Sequence, residues 1–188
     1  MSTSLTLLDR LRQPDQTDAW NRFVHLYAPL LVRWAELQGF QDADAEDLTQ
    51  TVLLKLIRLL PVYKRTEGQT FRGWLFTICR NECRDFRSHR ATRSLPSVEG
   101  LSRIEDRSLA DDLDESEYRH RLVHRALELV RSDFTPETWD AFKGFMLDGR
   151  PAQDVARELG VTPNAVYLAR NRVLTRVRQE LDGLIDLR

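Results

Sequence analysis

Arginine recurs at helical spacing along one stretch of the chain. Arg72, Arg80, Arg84, Arg87, Arg90 and Arg93 stand there against Glu82 and Asp85, a balance of +4. On a wheel of about 100° per residue, Arg72, Phe76, Arg80, Arg84 and Arg87 gather on one side, with Arg90 at its edge. Phe71, Trp74, Leu75, Ile78 and Phe86 form an apolar stripe opposite. Guanidinium groups neutralise phosphates, and an exposed ring stacks on an unpaired base, so this face suits nucleic acid. A solvated charged face explains the same arginines, and the segment alone does not decide between the two.

A second constellation lies near the C-terminus, in PAQDVARELGVTPNAVYLARNRVLTRVRQEL. It reads as helix, tight turn at Gly160-Val161, then helix, the spacing of a helix-turn-helix whose second helix enters the major groove. On that second helix Val166, Ala169, Val173, Val177 and Leu181 share the inward face. Asn164, Leu168, Asn171, Arg172 and Thr175 face outward, with Tyr167 and Arg178 beside them. Asn and Arg pair bidentately with adenine and guanine edges, and Leu168 suits a thymine methyl. Arg170 and Arg176 project to the flanks, where phosphates would lie. A helical hairpin without a ligand is the plainer alternative.

Other chemistry is missing. The sequence has no glycine-rich phosphate loop, no GxSxG elbow and no HExxH, so an enzyme is not expected. His120 and His124 are spaced for two ligands of a zinc site, but no third ligand is near in sequence. Cys79 and Cys83 fall short in the same way and are expected as reduced thiols. No cofactor and no metal are expected.

The elements that must carry these residues are helical nearly throughout, with no convincing alternating strand pattern. Helices are expected over about 4–12, then from Asp18 to Gly39 with a kink at Pro29, and over about 45–60, capped by Asp44 with Asp47 in a capping-box-like start. Pro61 opens a loop over 61–69. The basic helix runs from Thr70 to about Arg90. Helices follow at about 113–131, 136–147, 151–159 and 163–182, with Thr135-Pro136 and Thr162-Pro163 as N-cap and first-turn pairs.

The net charge of −1 over 188 residues hides segregation. Residues 99–117 hold eight acids against Arg103 and Arg107, so a basic module is followed by an acidic tether. No apolar run approaches the roughly 18 residues of a membrane span, and the N-terminus lacks a signal peptide's basic start and apolar core. No membrane insertion is expected, and the chain reads as cytoplasmic. The fold class is all-α: two small helical domains, 1–92 and 113–188, joined by an acidic flexible linker at 93–112, the C-terminal one containing the helix-turn-helix.

The order of segments resembles the extracytoplasmic-function group of the sigma-70 family. DAEDLTQTVLLKLIRLLP is similar to that family's polymerase-binding helix, TFRGWLFTICRNECRDFRSHR to its promoter-melting and −10-reading helix, and the C-terminal pair to its −35-reading domain. The resemblance implies a sigma factor that binds core RNA polymerase and promoter DNA, with an anti-sigma factor as a further partner the family admits. It places polymerase contacts on Asp47, Gln50, Thr51, Leu54 and Arg58, with Thr51 standing where the family usually has Glu. The −10 contacts would fall on Tyr63, Lys64 and Arg65 of the loop and on Arg72, Phe76, Arg80, Asn81, Arg84 and Arg87. The −35 contacts would fall on Asn164, Tyr167, Leu168, Arg170, Asn171, Arg172, Thr175 and Arg176. One rival reading is a helix-turn-helix regulator that binds duplex DNA without polymerase. Another is a helical scaffold or anti-factor that touches no DNA.

Overall fold

The structure is a computed structural model that describes residues 6–13, 16–64, 68–93 and 115–185. The acidic linker expected at 93–112, and Arg65 of the loop, lie outside the described residues but for Arg93. In chain order the α-helices are α1 (Leu7–Leu11), α2 (Thr17–Leu37), α3 (Asp42–Leu59), α4 (Phe71–Arg93), α5 (Glu115–Val130), α6 (Pro136–Phe142), α7 (Ala152–Leu159) and α8 (Pro163–Leu181). A 3-10 turn at Leu60–Val62 follows α3, and α6 passes into a π-helical turn at Lys143–Leu147. The fold is all-α, with no strand among the described residues.

Local chemistry explains most boundaries. Thr6 and Asp9 form a reciprocal capping box at α1. The Thr135 and Thr162 hydroxyls accept from the backbone amides of Thr138 and Ala165, each ahead of a proline at the first helical position. Gly160 adopts φ 66°, the left-handed conformation glycine takes without penalty, and so ends α7 at the turn before α8. One expectation is corrected. Helix α3 begins at Asp42 after Gln41, with no side-chain cap, so Asp44 is not its cap; Asp42 and Asp44 lie in the first turn, where acids complement the helix dipole. Pro29 lies within an α2 that runs unbroken from Thr17 to Leu37.

The interior is shared. Phe23, Leu26, Tyr27, Leu31 and Trp34 of α2 are buried with Leu48, Val52 and Leu56 of α3 and Phe71 and Leu75 of α4. The same cluster continues through Tyr118, Leu122 and Ala126 of α5 and Val173, Val177 and Leu181 of α8, to Leu184 and Ile185. Truncating one of its large aromatic residues to Ala typically costs about 3–5 kcal/mol. A smaller second core of Ala141, Ala152, Val155, Ala156, Val166 and Ala169 fixes the helix-turn-helix. Gly144 belongs to that packing, because a Cβ there would stand 3.1 Å from Val155 Cγ2.

Candidate nucleic-acid and polymerase interfaces

Helix α8 presents two faces as its periodicity predicts. Val166, Ala169, Val173, Val177 and Leu181 are buried. Asn164, Tyr167, Leu168, Asn171, Arg172 and Thr175 are exposed. Leu168, Asn171, Arg172 and Thr175 line one concavity of about 430 Å³, beside Phe134. Tyr167 packs edge-on against Phe145 of the π-helical turn, ring centroids 5.3 Å apart. Its ring is therefore propped from behind while 46% of it stays accessible. Arg170 is half-buried, and its guanidinium donates to Asn171 Oδ1 at 3.4 Å. Arg176 differs from the rest: it donates to Asp133 Oδ2 and Glu180 Oε2, both at 2.8 Å.

Helix α4 departs further from its wheel. Phe71, Leu75, Ile78, Cys79, Glu82 and Cys83 are buried, so the covered stripe includes both cysteines and an acid. Cys79 and Cys83 are free thiols. Glu82 is ion-paired to Lys55 of α3. Asn81, Arg84 and Arg87 are exposed; Arg87 donates to the Gln38 carbonyl and lies over the Phe40 ring. Arg80 is half-buried, and its Nε is enclosed without a hydrogen-bond partner. Arg72 and Phe76 are not the open pair the wheel predicts. Phe76 is half-buried, edge-on to Trp34 at 5.6 Å. Arg72 pairs with Glu115 and sits over the Tyr118 ring at 4.8 Å. The reason is that α4 packs on both α2 and α3, Trp34 of α2 covering Phe76, while Glu115 and Tyr118 of α5 engage Arg72.

Tyr63 is also not open: it is buried, stacked obliquely on Trp74 at 4.3 Å and edge-on to Phe71 at 5.4 Å, and its carbonyl accepts from Arg12. Lys64 beside it is exposed.

On α3, Asp47, Gln50, Thr51, Leu54 and Arg58 are all exposed, opposite buried Leu48, Val52 and Leu56. The Thr51 hydroxyl donates to the Asp47 carbonyl at 3.0 Å, a bond within its own helix. Leu54 is 66% exposed, and Ile57 and Val62 are exposed with it. These last two extend the face beyond the residues expected; their signal was an apolar residue standing off the inward periodicity of α3 and just after it.

Where the two halves meet, buried polar groups match across the seam. The Tyr27 and Tyr118 hydroxyls lie 3.0 Å apart, and Trp34 stacks on Tyr118 at 6.4 Å with an interplanar angle of 11°. Burial pushes both phenols above their ordinary range. Arg22 of α2 reaches Glu180 of α8 at 3.1 Å. Burial works against the Arg22 charge, but Glu180, with Asp18 and Asp133, outweighs it and raises the guanidinium above its usual value. Glu180 is only 2% exposed, and the sequence carries its signal: it stands seven residues after Val173 and fourteen after Val166, on the inward face.

The family model for sigma-70 region 2 matches residues 23–93, the stretch from the middle of α2 to the end of α4. ECF RNA polymerase sigma factor BldN of Streptomyces coelicolor is 28% identical over 164 residues, 86% of this chain and 60% of that protein. The chain belongs to the extracytoplasmic-function group of the sigma-70 family. RNA polymerase sigma factor NccH of Alcaligenes xylosoxydans xylosoxydans is 30% identical over 130 residues, 69% of this chain and 66% of that protein. ECF RNA polymerase sigma factor ShbA of Streptomyces griseus is 25% identical over 186 residues, 92% of each chain. The chain thus spans under two thirds of the first two relatives' length and nearly all of the third's.

Proposed function

We propose that the chain is a specificity factor that binds core RNA polymerase and directs promoter-specific initiation by recognising −10 and −35 elements. The observation that carries this reading is the order of three distinct faces in a sigma-family chain. An exposed polar and apolar face on α3 comes first, then a basic α4, then an α8 whose Asn171 and Arg172 stand open. In this reading residues 1–92 hold the clamp-docking and −10 functions, 93–112 the acidic linker, and 113–188 the −35 reader. Asp47, Gln50, Thr51, Leu54 and Arg58 dock on polymerase. Lys64, Arg65, Asn81, Arg84 and Arg87 meet melted −10 DNA, joined by Tyr63, Arg72, Phe76 and Arg80 once these are uncovered. Asn164, Tyr167, Leu168, Asn171, Arg172 and Thr175 read base pairs, with Arg170 and Arg176 toward phosphates.

Such a role is not enzymatic, and it places the chain in the cytoplasm with polymerase. Among the described residues no helix is long and apolar enough to cross a membrane. An anti-sigma factor would act by covering one of the three faces. Run-off transcription with core polymerase tests the reading: the chain is expected to start transcripts at discrete promoters that core enzyme alone does not use. A nanomolar gel shift on duplex DNA at physiological salt without polymerase would instead favour a free-standing helix-turn-helix regulator.

A further inference from the structure

Tyr167 and Leu168 are the two large apolar side chains exposed on α8, each 46% accessible in the first half of the helix. Residues in that part of a recognition helix face base edges. The two differ in what stands behind them. Leu168 borders the open concavity beside Phe134. Tyr167 meets Phe145 edge to face, with centroids 5.3 Å apart and planes at 88°. In that arrangement the positive edge of one ring meets the negative face of the other. Phe145 is itself held. It is half-buried and packs on the second core, against the cluster of Ala141, Val155 and Val166. It lies in the π-helical turn Lys143–Leu147, closed where the Asp148 amide donates to the Lys143 carbonyl at 3.0 Å. Gly144 in the same turn lies tight against Val155, where a Cβ would stand 3.1 Å from Cγ2. Such π turns are rare and recur at functional sites. Core packing does not account for the ring pair, because Tyr167 belongs to neither buried cluster.

We propose that Phe145 is a positioning residue for −35 recognition: from the π-helical turn it fixes the Tyr167 ring, which then selects one A·T pair through the thymine methyl. This rests on the reading of α8 as the −35 helix. An apolar ring is a suitable partner for that methyl in the major groove. A side chain ordered before binding also avoids the entropy that ordering it on binding would cost. Phe145 touches no DNA in this account. It acts through Tyr167, and the turn that carries it is fixed by Gly144 and Val155. Tyr167 precedes Asn171 by one helical turn, about 6 Å along the axis. That is nearly two base-pair steps of about 3.4 Å, so the two side chains meet different base pairs.

The test uses the full chain bound to core polymerase, on a promoter series with each −35 base pair substituted in turn. Tyr167→Ala should flatten the preference at one A·T pair. Phe145→Leu keeps apolar volume on the second core but removes the ring. It should flatten that same preference about threefold to tenfold, the range of an edge-to-face contact. Preferences that depend on Asn171 and Arg172 should stay unchanged. Phe145→Tyr, which keeps the ring, should retain the wild-type preference. The double variant Phe145→Leu/Tyr167→Ala should be no worse than Tyr167→Ala alone, because the two residues act as a unit. In the free chain, the Tyr167 ring resonances, assigned with Tyr167→Phe, should shift in Phe145→Leu. An equal loss at every base pair in Phe145→Leu, or additive losses in the double variant, would make Phe145 a support of the fold only and overturn the inference. Unchanged Tyr167 resonances would overturn it as well. If Phe145→Leu does not fold, Phe145→Met carries the same expectations. If Tyr167→Ala and Asn171→Ala alter base preference while Phe145→Leu does not, this inference alone fails. A wild-type complex indifferent to the whole −35 series would defeat the reading of α8 itself.

Discussion

Asn171 and Arg172 stand open at the middle of α8, whereas Arg176, one turn on, is held by two carboxylates. That difference separates their expected mutants. Asn171→Ala and Arg172→Ala should each weaken −35 recognition by about 1–3 kcal/mol and relax the preference at one or two base pairs. Arg170→Ala should lower affinity across all sequences and reduce the salt dependence. Binding isotherms of the polymerase complex on a promoter substitution series, at two salt concentrations, distinguish the two patterns. A uniform loss in all three would show that the outward face has been misassigned. Arg176→Ala carries a second effect, because it also removes one of the two cations that hold the buried Glu180. The inward and outward faces of α8 were legible in the sequence because periodicity reports burial directly. The engagement of Arg72 and Phe76, and of Arg176 by Asp133, was not, because a wheel for one helix knows nothing of a second element packed against it. Tyr118 and Glu115, which engage Arg72, lie more than forty residues from it, and Trp34, which covers Phe76, lies forty-two residues before it, beyond any local pattern.

At the scale of elements, capping chemistry and turn residues forecast boundaries well where the cap is local. Thr135-Pro136, Thr162-Pro163 and Gly160 sit where their chemistry requires. The Asp44 cap of α3 failed because three aspartates in one short run, Asp42, Asp44 and Asp47, each look like an N-cap, and the helix began at the earliest, Asp42. The correction sharpens a test of the polymerase face. Asp47 lies beyond the first turn, so Asp47→Lys removes no cap and should change stability by under about 0.5 kcal/mol. If the α3 face docks on polymerase, the reversed charge costs several kcal/mol at that interface. The expected outcome is lost co-purification with core polymerase and lost transcription, with helicity and melting temperature nearly unchanged. Wild-type levels of co-purified polymerase would remove α3 from the docking surface. Leu54→Asp or Val62→Asp should give the same phenotype through the apolar part of that face.

For the whole molecule, the sequence announced two helical modules and an acidic stretch between them, but not that one buried cluster joins the modules. The tyrosine pair at that junction gives a handle on the joined state through pH. Tyr27 and Tyr118 are buried with hydroxyls 3.0 Å apart, and burial raises both pKa values above the ordinary 10.0. The neutral phenols stabilise the joined state fully below pH 10, because open and joined forms are then equally protonated. Above that value the open form can release protons that the joined form must keep, so the contribution is lost progressively as pH rises toward the folded pKa values. The seam should therefore loosen above about pH 10, seen as an increase in radius of gyration and a change in emission from Trp34, which stacks on Tyr118. Alkaline pH acts on more than these two phenols, so the wild type needs a comparison that isolates them. The double variant Tyr27→Phe/Tyr118→Phe supplies it. Replacing both partners of a buried hydrogen bond by apolar groups of the same shape is close to neutral at ordinary pH, so the joined state should persist there. Its alkaline midpoint should then lie above that of the wild type. Equal midpoints for the two proteins would mean that the tyrosine pair does not govern the opening, and that some other alkaline titration breaks the seam first.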